Sequence, residues 1–294
     1  MNRIIPLLKE YRLSKLTECL RCIDNNQFNR EKQRNCILDL YPPNPKGVEH
    51  MEKSIFRGMV IPSLRHLELI IGYGSTIKLA ANGKLIIESE LINSNLYARV
   101  LRAIIFEIDR DVFQFLELIK KEGSVKISKF IDTICGLIEG SSTKQKKERI
   151  SKWISILEQA QLIQPNEQQG MDINDERFSQ TALDLQQTQK HKEDFRDYLF
   201  ESYRELSKDT AGIVDIRACR ESVSMKMLKN EKIILTEKIF DEMLRVIRKE
   251  TPKYRISFGK PMGAKEKLFR FNDNYFITIL VQFNENLSKK EIKR

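Results

Sequence analysis

The densest group of cationic side chains in this sequence lies between residues 144 and 152, where a helix is predicted to begin. Positive charges oppose the macrodipole of a helix at its N-terminus, so this placement favours a role in binding phosphate over a role in stabilising the helix. A solvated helix face is the alternative interpretation. The candidates in this group are Lys144, Gln145, Lys147 and Lys152.

A second cationic group spans the end of another predicted helix and the loop of the hairpin that follows it. Cations on both elements suit contacts to the phosphates of a nucleic acid, which position a protein without reading sequence. The candidates here are Arg245, Arg248, Lys260, Lys265 and Lys267.

A third group lies in a short predicted helix that begins at Pro62. Leu64 and Leu67 are expected to face the core, which would leave Ser63, Arg65 and His66 outward, and arginine can donate to the O6 and N7 atoms of guanine. A plain solvated face explains this group equally well. Arg57, just before this helix, and Arg3, in a short N-terminal arm, complete the DNA-binding candidates.

Motifs for catalysis are missing from the sequence. It has no G-x-x-x-x-G-K-[ST], G-x-G-x-x-G, H-E-x-x-H or G-x-S-x-G pattern. The E-x-K triplet that some nucleases use occurs only at Glu291–Lys293, and the three histidines are scattered. We therefore expect no catalytic residue, no cofactor and no metal site in this chain.

The composition favours a polyanionic partner. Lys and Arg number 51 against 41 Asp and Glu, a net charge of +10, which points to nucleic acid first and to an acidic membrane surface second. Apolar runs fall short of the roughly 20 residues that span a bilayer, and no signal peptide is recognisable, so we expect a cytoplasmic protein without membrane contact. The five cysteines are predicted to be free buried thiols, because the Cys19/Cys22 pair has no partners that could complete a zinc site.

Three predicted runs of helices carry most of these candidate residues. A hairpin follows the first run, a linker the second, and short strands the third. In the first run, helices at Val48–Met59 and Pro62–Leu67 precede a hairpin whose turn is placed at Ala81–Gly83, since Asn-Gly between apolar strands is a strong hairpin signal. The order helix, turn, helix, hairpin is typical of a winged helix.

That order recurs twice along the chain. The second run ends in the basic helix from Lys144 to Ala160, and the Gln-rich residues 164–192 are predicted to be a linker. The third run has helices near Phe195–Leu206, Ile216–Leu228 and Thr236–Lys249 before three short strands. We predict a mainly α fold with small β-hairpins (α+β), arranged as tandem winged-helix subdomains with divisions at 1–95, 96–190, 191–284 and a tail at 285–294.

The segment Phe56–Ile70 with its predicted hairpin, the serial winged-helix units and the lack of a metal site together resemble the DNA-recognition domain of a type IIS restriction endonuclease. The resemblance covers essentially the whole chain. It implies that this chain recognises double-stranded DNA as a monomer on an asymmetric site. It also implies that a separate nuclease domain, with its Mg²⁺, follows Arg294.

Two other functions fit the same elements. A winged-helix transcription regulator or plasmid replication initiator would use them without a nuclease, and a dimer on a palindromic site would indicate it. Winged helices also serve as protein-interaction modules, in which case DNA binding would be weak and nearly independent of salt.

Overall fold

A computed structural model describes residues 8–108, 116, 119–121, 126–136, 142–167, 169–188, 190–248, 254–260, 269–272 and 274–283. The chain divides into two compact units, Met1–Leu183 (unit 1) and Asp184–Arg294 (unit 2). The two units are mainly helical with small antiparallel strand pairs, so the predicted α+β class is confirmed. Among the residues described, no helix is long and apolar enough to cross a membrane.

The first half of unit 1 contains three helices, a two-stranded pair and two more helices. These elements are α1 (Leu13–Asn25), α2 (Arg30–Asp39), α3 (Val48–Met51, Glu52–Val60 and Ile61–His66 in succession), β1 (Ile70–Ile71), β2 (Lys78–Leu79), α4 (Ala81–Ile92) and α5 (Ser94–Ile108).

Helix α3 runs without a break from Val48 to His66, where two separate helices, Val48–Met59 and Pro62–Leu67, were predicted. Its middle third, Glu52–Val60, is π-helical, and α-helical geometry resumes at Ile61 just before Pro62. A proline has no amide to donate, and Pro62 lies in the first turn of this α-helical segment. Gly58 lies inside the helix, where a Cβ would approach the carbonyl oxygen of Lys53 at 2.7 Å. The predicted pair of short helices is therefore wrong, and one long helix takes its place.

The predicted hairpin at residues 76–88 is also wrong. Strand β1 pairs with β2, and the chain then enters α4 at Ala81. Asn82 is buried, and a Cβ at Gly83 would overlap the carbonyl oxygen of Leu69. The glycine serves the close packing of α4 against the backbone of a neighbouring segment, and a contact of this kind is invisible in the local sequence.

The second half of unit 1 repeats the order of helix, hairpin and helix. Its elements after α5 are α6 (Ile127–Cys135), α7 (Thr143–Gln159), β3 (Ile163–Pro165), β4 (Met171–Ile173) and α8 (Asp175–Thr188), whose residues from Asp184 onward are assigned to unit 2. The linker predicted at 164–192 is wrong, because most of that segment forms the β3–β4 hairpin and α8. Met171, Thr181 and Asp184 are buried, whereas most Gln and Asn side chains lie in the hairpin turn or on the outer face of α8.

Helices α3 and α7 end in the same way. Each is followed by a residue with left-handed φ, Glu68 or Gln161, and then by a buried leucine, Leu69 or Leu162. Leu69 N–H donates to Leu64 O and Leu162 N–H donates to Leu157 O, both at 2.9 Å. The same leucine accepts a backbone hydrogen bond from the residue that follows the hairpin. Ala80 N–H donates to Leu69 O at 3.0 Å, and Asn174 N–H donates to Leu162 O at 2.9 Å.

Unit 2 is built from three helices and a three-stranded sheet. Its elements are α9 (Lys192–Ser207), β5 (Val214–Asp215), α10 (Ile216–Lys226, continued by a π-helical turn at Met227–Glu231), α11 (Glu237–Ile247), β6 (Tyr254–Gly259), β7 (Phe269–Phe271), β8 (Asn274–Phe276) and β9 (Thr278–Phe283). The sheet order is β5-β9-β6, all antiparallel, and β7 pairs with β8. The three predicted helices each lie within a few residues of their expected positions.

The cysteine prediction is wrong for two of the five residues. Cys22 of α1 and Cys36 of α2 form a disulfide with their Cα atoms 5.6 Å apart, while Cys19, Cys135 and Cys219 are free and buried. The pairing follows from the packing of α1 against α2, which brings together residues 14 positions apart.

Candidate nucleic-acid interface

Helix α7 presents an exposed cationic surface over its first two turns. The Ser142 side chain accepts from the N–H of Gln145 at 3.3 Å and caps the helix. Ile150, Trp153, Ile154, Ile156 and Leu157 are buried, whereas residues 142–149, which precede them, are exposed or half-buried. Residues 142–152 contain five Lys or Arg side chains and one Glu, and Lys144, Gln145 and Lys147 are exposed while Lys152 is half-buried.

The first turn of α7 carries two lysines, Lys144 and Lys146, and no acidic residue. Helices α1, α4, α5, α6 and α10 also lack an acidic residue in the first turn, so among the described helices it is the pair of lysines that distinguishes α7. Acidic residues at that position stabilise a helix by about 0.3–1 kcal/mol, and cations there oppose the dipole. The N-terminus of α7 is therefore not optimised for helix stability, which is consistent with selection for an anionic partner.

Ion pairs compensate only part of this charge. Lys147 contacts Asp132 of α6, which raises the pKa of Lys147, and Lys152 contacts Glu148 at 2.6 Å. Neither Lys144 nor Lys146 has a carboxylate within 4.0 Å in the part of the chain that the structure describes, although Glu148 interacts with Lys144 at longer range. The end of α7 that carries these two lysines is thus the less compensated one.

Two lysines that the sequence analysis did not select belong to the same surface. Lys126 and Lys129 are exposed at the start of α6, and Lys129 lies one turn before Asp132, the partner of Lys147. The spacing of the buried residues Phe130 and Ile134 was the signal that could have placed these lysines outward.

The β3–β4 hairpin is anchored to α6. Gln169, at the hairpin turn, accepts from Ile127 N–H at 3.1 Å, and Asn166 closes the turn by accepting from Gly170 N–H at 2.7 Å. Gln164 and Gln169 are exposed on the hairpin. These contacts hold a polar hairpin and a cationic helix against the same element.

Ser63 does not face outward as predicted. It is fully buried, where its hydroxyl donates to Met59 O at 2.8 Å and accepts from the backbone N–H groups of Lys9 and Glu10 at 3.2 and 3.0 Å. The N-terminal segment covers this part of α3, an interaction across more than 50 residues that helical periodicity cannot show. Ser63 is thereby excluded as a base-contacting residue in this conformation.

Of the remaining candidates on α3, Arg57 is paired with a carboxylate and Arg65 is half-buried, and only His66 is neither. Arg57 is exposed and donates to Glu52, which holds the pKa of that carboxyl below its usual range. Arg65 is half-buried, donates to the carbonyl oxygen of Gly72 and lies 4.0 Å from the ring centroid of Tyr73. His66 is exposed. The α3 face therefore offers less uncompensated charge than α7.

In unit 2, the structure brings two of the predicted residues to one place. Arg245 and Arg248 lie one turn apart at the end of α11, beside the aromatic side chains of β6 and β7. Lys260 is exposed immediately after β6. Arg3, Lys265 and Lys267 lie outside the described residues.

The described residues contain no group of three or more His, Cys, Asp or Glu side chains that could hold a metal ion. Comparison of the chain with protein-family models, curated proteins and solved structures finds no match.

Proposed function

We propose that this chain recognises double-stranded DNA in a sequence-specific manner and that α7 is the element that enters the major groove. The observation that carries the proposal is the exposed, incompletely compensated cationic start of α7. Arginine and lysine neutralise phosphates and release counterions, and glutamine can form two hydrogen bonds to adenine. Lys144 and Lys147 would then hold the backbone while Gln145 contacts base edges.

The order of elements supports tandem winged-helix subdomains as the structural basis of this function. In unit 1, α6 and α7 are followed by the β3–β4 hairpin, and α2 and α3 are followed by β1–β2. In unit 2, α10 and α11 are followed by β6 and β9, with β5 completing the sheet. A helix that precedes a hairpin in this order is the one that lies in the groove in helix-turn-helix proteins.

The finer proposal is that the chain is the target-recognition part of a type IIS restriction endonuclease, monomeric, cytoplasmic and acting on an asymmetric site. The serial helix–hairpin units support it. The helix break and hairpin on which the resemblance of Phe56–Ile70 rested are not present, since α3 is continuous there and α4 begins at Ala81. Cleavage and Mg²⁺ would belong to a separate nuclease domain. A transcription regulator or replication initiator is the alternative, and site symmetry distinguishes the two.

The test is selection of bound duplexes from a random pool by the purified chain, at stated salt and without metal. We expect enrichment of one short asymmetric sequence and a steep fall in affinity with salt. Enrichment of a palindrome would replace the endonuclease proposal with the regulator or initiator. If no sequence is enriched and affinity is independent of salt, DNA recognition is overturned in favour of protein binding.

Two neighbouring substitutions separate base contacts from phosphate contacts on α7. Gln145→Ala should relax the preference at one position of the selected site, with little change in the salt dependence. Lys144→Ala should weaken binding to all sequences alike and reduce the salt slope by about 1. If both variants behave alike, α7 does not read bases.

A further inference from the structure

Two arginines at the end of α11 are held on phenyl rings and not by carboxylates. The guanidinium of Arg248 lies 4.2 Å from the ring centroid of Phe271 and 5.0 Å from that of Phe258. The guanidinium of Arg245 lies 5.2 Å from Phe269, and its Nε donates to the carbonyl oxygen of Arg270 at 3.0 Å. Both side chains are thus fixed against the strands that follow α11.

The rings beneath these arginines form one cluster. Phe258 lies 4.8 Å from Phe269, 6.0 Å from Phe271 and 5.5 Å from Phe276, centroid to centroid. Phe269 is fully buried and belongs to the core of unit 2. A guanidinium stacked on this cluster of phenyl rings loses little further conformational entropy when it binds a ligand. Its N–H groups can form a bidentate contact with an oxyanion.

The charge of these arginines is not neutralised by an ion pair within the described residues. Neither side chain has a carboxylate within 4.0 Å there, in contrast to Arg217 and Arg220 of the same unit. Asp241 of α11 interacts electrostatically with Arg245, but both of its carboxylate oxygens accept hydrogen bonds from Arg220 at 2.7 Å. The two arginines remain available to an external anion.

The charge distribution along α11 indicates how unit 2 would approach that anion. The first two turns carry three carboxylates (Glu237, Asp241 and Glu242) and one lysine (Lys238), and Arg220 pairs with Glu237 and Asp241. The last turn carries Arg245 and is followed by Arg248. Inserting the first turns into a groove would bring carboxylates towards phosphates, which repel them. The last turn and the adjacent strands present the opposite sign.

We infer that Arg245 and Arg248 form a phosphate clamp, through which unit 2 grips the DNA backbone side-on without inserting α11 into a groove. This inference rests on the proposed function and assigns unit 2 a share of affinity without sequence reading. Phosphate contacts of this kind position a protein and carry no direct sequence information. The clamp consists of Arg245, Arg248 and the rings of Phe258, Phe269 and Phe271.

The test measures binding of the full chain to a mixed-sequence 30-base-pair duplex over a series of salt concentrations. Arg248→Ala and Arg245→Ala should each lower the affinity about tenfold and reduce the salt slope by about 1. Arg248→Lys should keep the slope but lower the affinity by about threefold, since lysine keeps the charge and loses the planar, stacked geometry. The sequence selected from a random pool should stay the same.

Arg204→Ala is the matched control. Arg204 is an exposed arginine of unit 2 that also lies over a phenyl ring, 4.9 Å from Phe283, so its loss removes the same charge and the same type of contact. We expect it to leave affinity and slope unchanged. Thermal unfolding of all four variants identifies any loss of fold.

The clamp is overturned if folded Arg245→Ala and Arg248→Ala bind like the original chain, or if Arg204→Ala weakens binding as much as they do. It is also overturned if either variant changes the selected sequence, because the arginine would then read bases. When substitutions on α7 weaken binding and those on α11 do not, the proposed function stands and the clamp alone fails. If the original chain binds no duplex, both proposals fail.

Discussion

The two halves of unit 1 share a backbone arrangement but differ in their surface charge. Helices α3 and α7 both end in a left-handed residue and a buried leucine, and both are followed by a hairpin and a helix with the same returning hydrogen bond. On α3, Lys53 contacts Glu49 at 2.7 Å and Arg57 contacts Glu52. On α7, one Glu stands among five cations between residues 142 and 152.

The difference shows that the shared features are those that hold the helix and hairpin together, while the exposed charges are free to diverge. Buried leucines and backbone hydrogen bonds are costly to change, because their loss leaves cavities or unsatisfied polar groups. Exposed charges contribute little to stability. The half with uncompensated charge is therefore the better candidate for binding DNA.

The largest expected effect tests the packing that differs between the halves. Gly83→Ala should destabilise unit 1 by about 3 kcal/mol, since the new Cβ would overlap the backbone of Leu69 and force α4 away. Arg177 takes the equivalent place in α8, as the third residue of that helix, and Arg177→Ala should cost less than about 1 kcal/mol. Denaturant unfolding measures both. Equal costs would mean that the halves pack alike at this position.

The next effect concerns charge. Reversal of Lys144 and Lys147 to Glu should lower affinity for duplex DNA roughly a hundredfold near 0.1 M salt, because two cations become anions facing phosphate. The control reverses Lys53 and Arg57 of α3, both of which are paired with carboxylates, whereas only Lys147 of the α7 pair has such a partner. The control should change affinity by less than about threefold. An equal loss in the control would assign DNA binding to both halves or to net charge alone.

A smaller effect concerns the N-terminal segment, which contacts both halves. Ser63 of α3 accepts from Lys9 and Glu10, and Gln159 of α7 donates to Tyr11 O and accepts from Leu13 N–H. Ser63→Ala should cost about 2 kcal/mol in the free energy of unfolding, as two amides lose their acceptor. The exposed Ser54 of α3 provides a control, and Ser54→Ala should be nearly neutral. A neutral Ser63→Ala would show that the segment is not held there in solution.

The smallest effect is a pH dependence in the same segment. Burial alone would raise the pKa of Glu10. The Arg12 guanidinium and the Tyr41 hydroxyl each donate a 2.7 Å hydrogen bond to Glu10 Oε2, and these interactions outweigh burial and hold the pKa below its usual value. A lowered pKa in the folded state stabilises the protein above the unfolded pKa of 4.5, and this contribution is lost as the pH falls through the folded pKa.

Glu10→Gln should therefore lower the free energy of unfolding by about 1.5 kcal/mol at neutral pH, the low end for hydrogen bonds to charged groups. It should also make stability less sensitive to pH below 4.5. Unfolding curves at pH 7 and pH 3.5 measure the difference, and a variant with unchanged pH sensitivity would contradict the role assigned to Glu10.

The positions of the unit 2 helices and the cationic character of α7 could be predicted because both follow from local patterns. In α11, Ile239, Phe240, Met243 and Leu244 recur at helical spacing and are buried. In α7, the spacing of Ile150, Trp153 and Leu157 decides which lysines face outward. A local pattern suffices where one face of an element meets the core and the other meets solvent.

The sequence by itself determined the mainly helical class, the helices of unit 2 and the exposure of Lys144 and Lys147. Only the tertiary structure decided that Gly83 lies in a helix, that Ser63 is buried and that Cys22 pairs with Cys36. Each of these outcomes depends on a partner distant in sequence: Leu69, the segment at Lys9 and Glu10, and the packing of α1 on α2. Such contacts override local propensity because burial and hydrogen bonding contribute more free energy than a turn preference does.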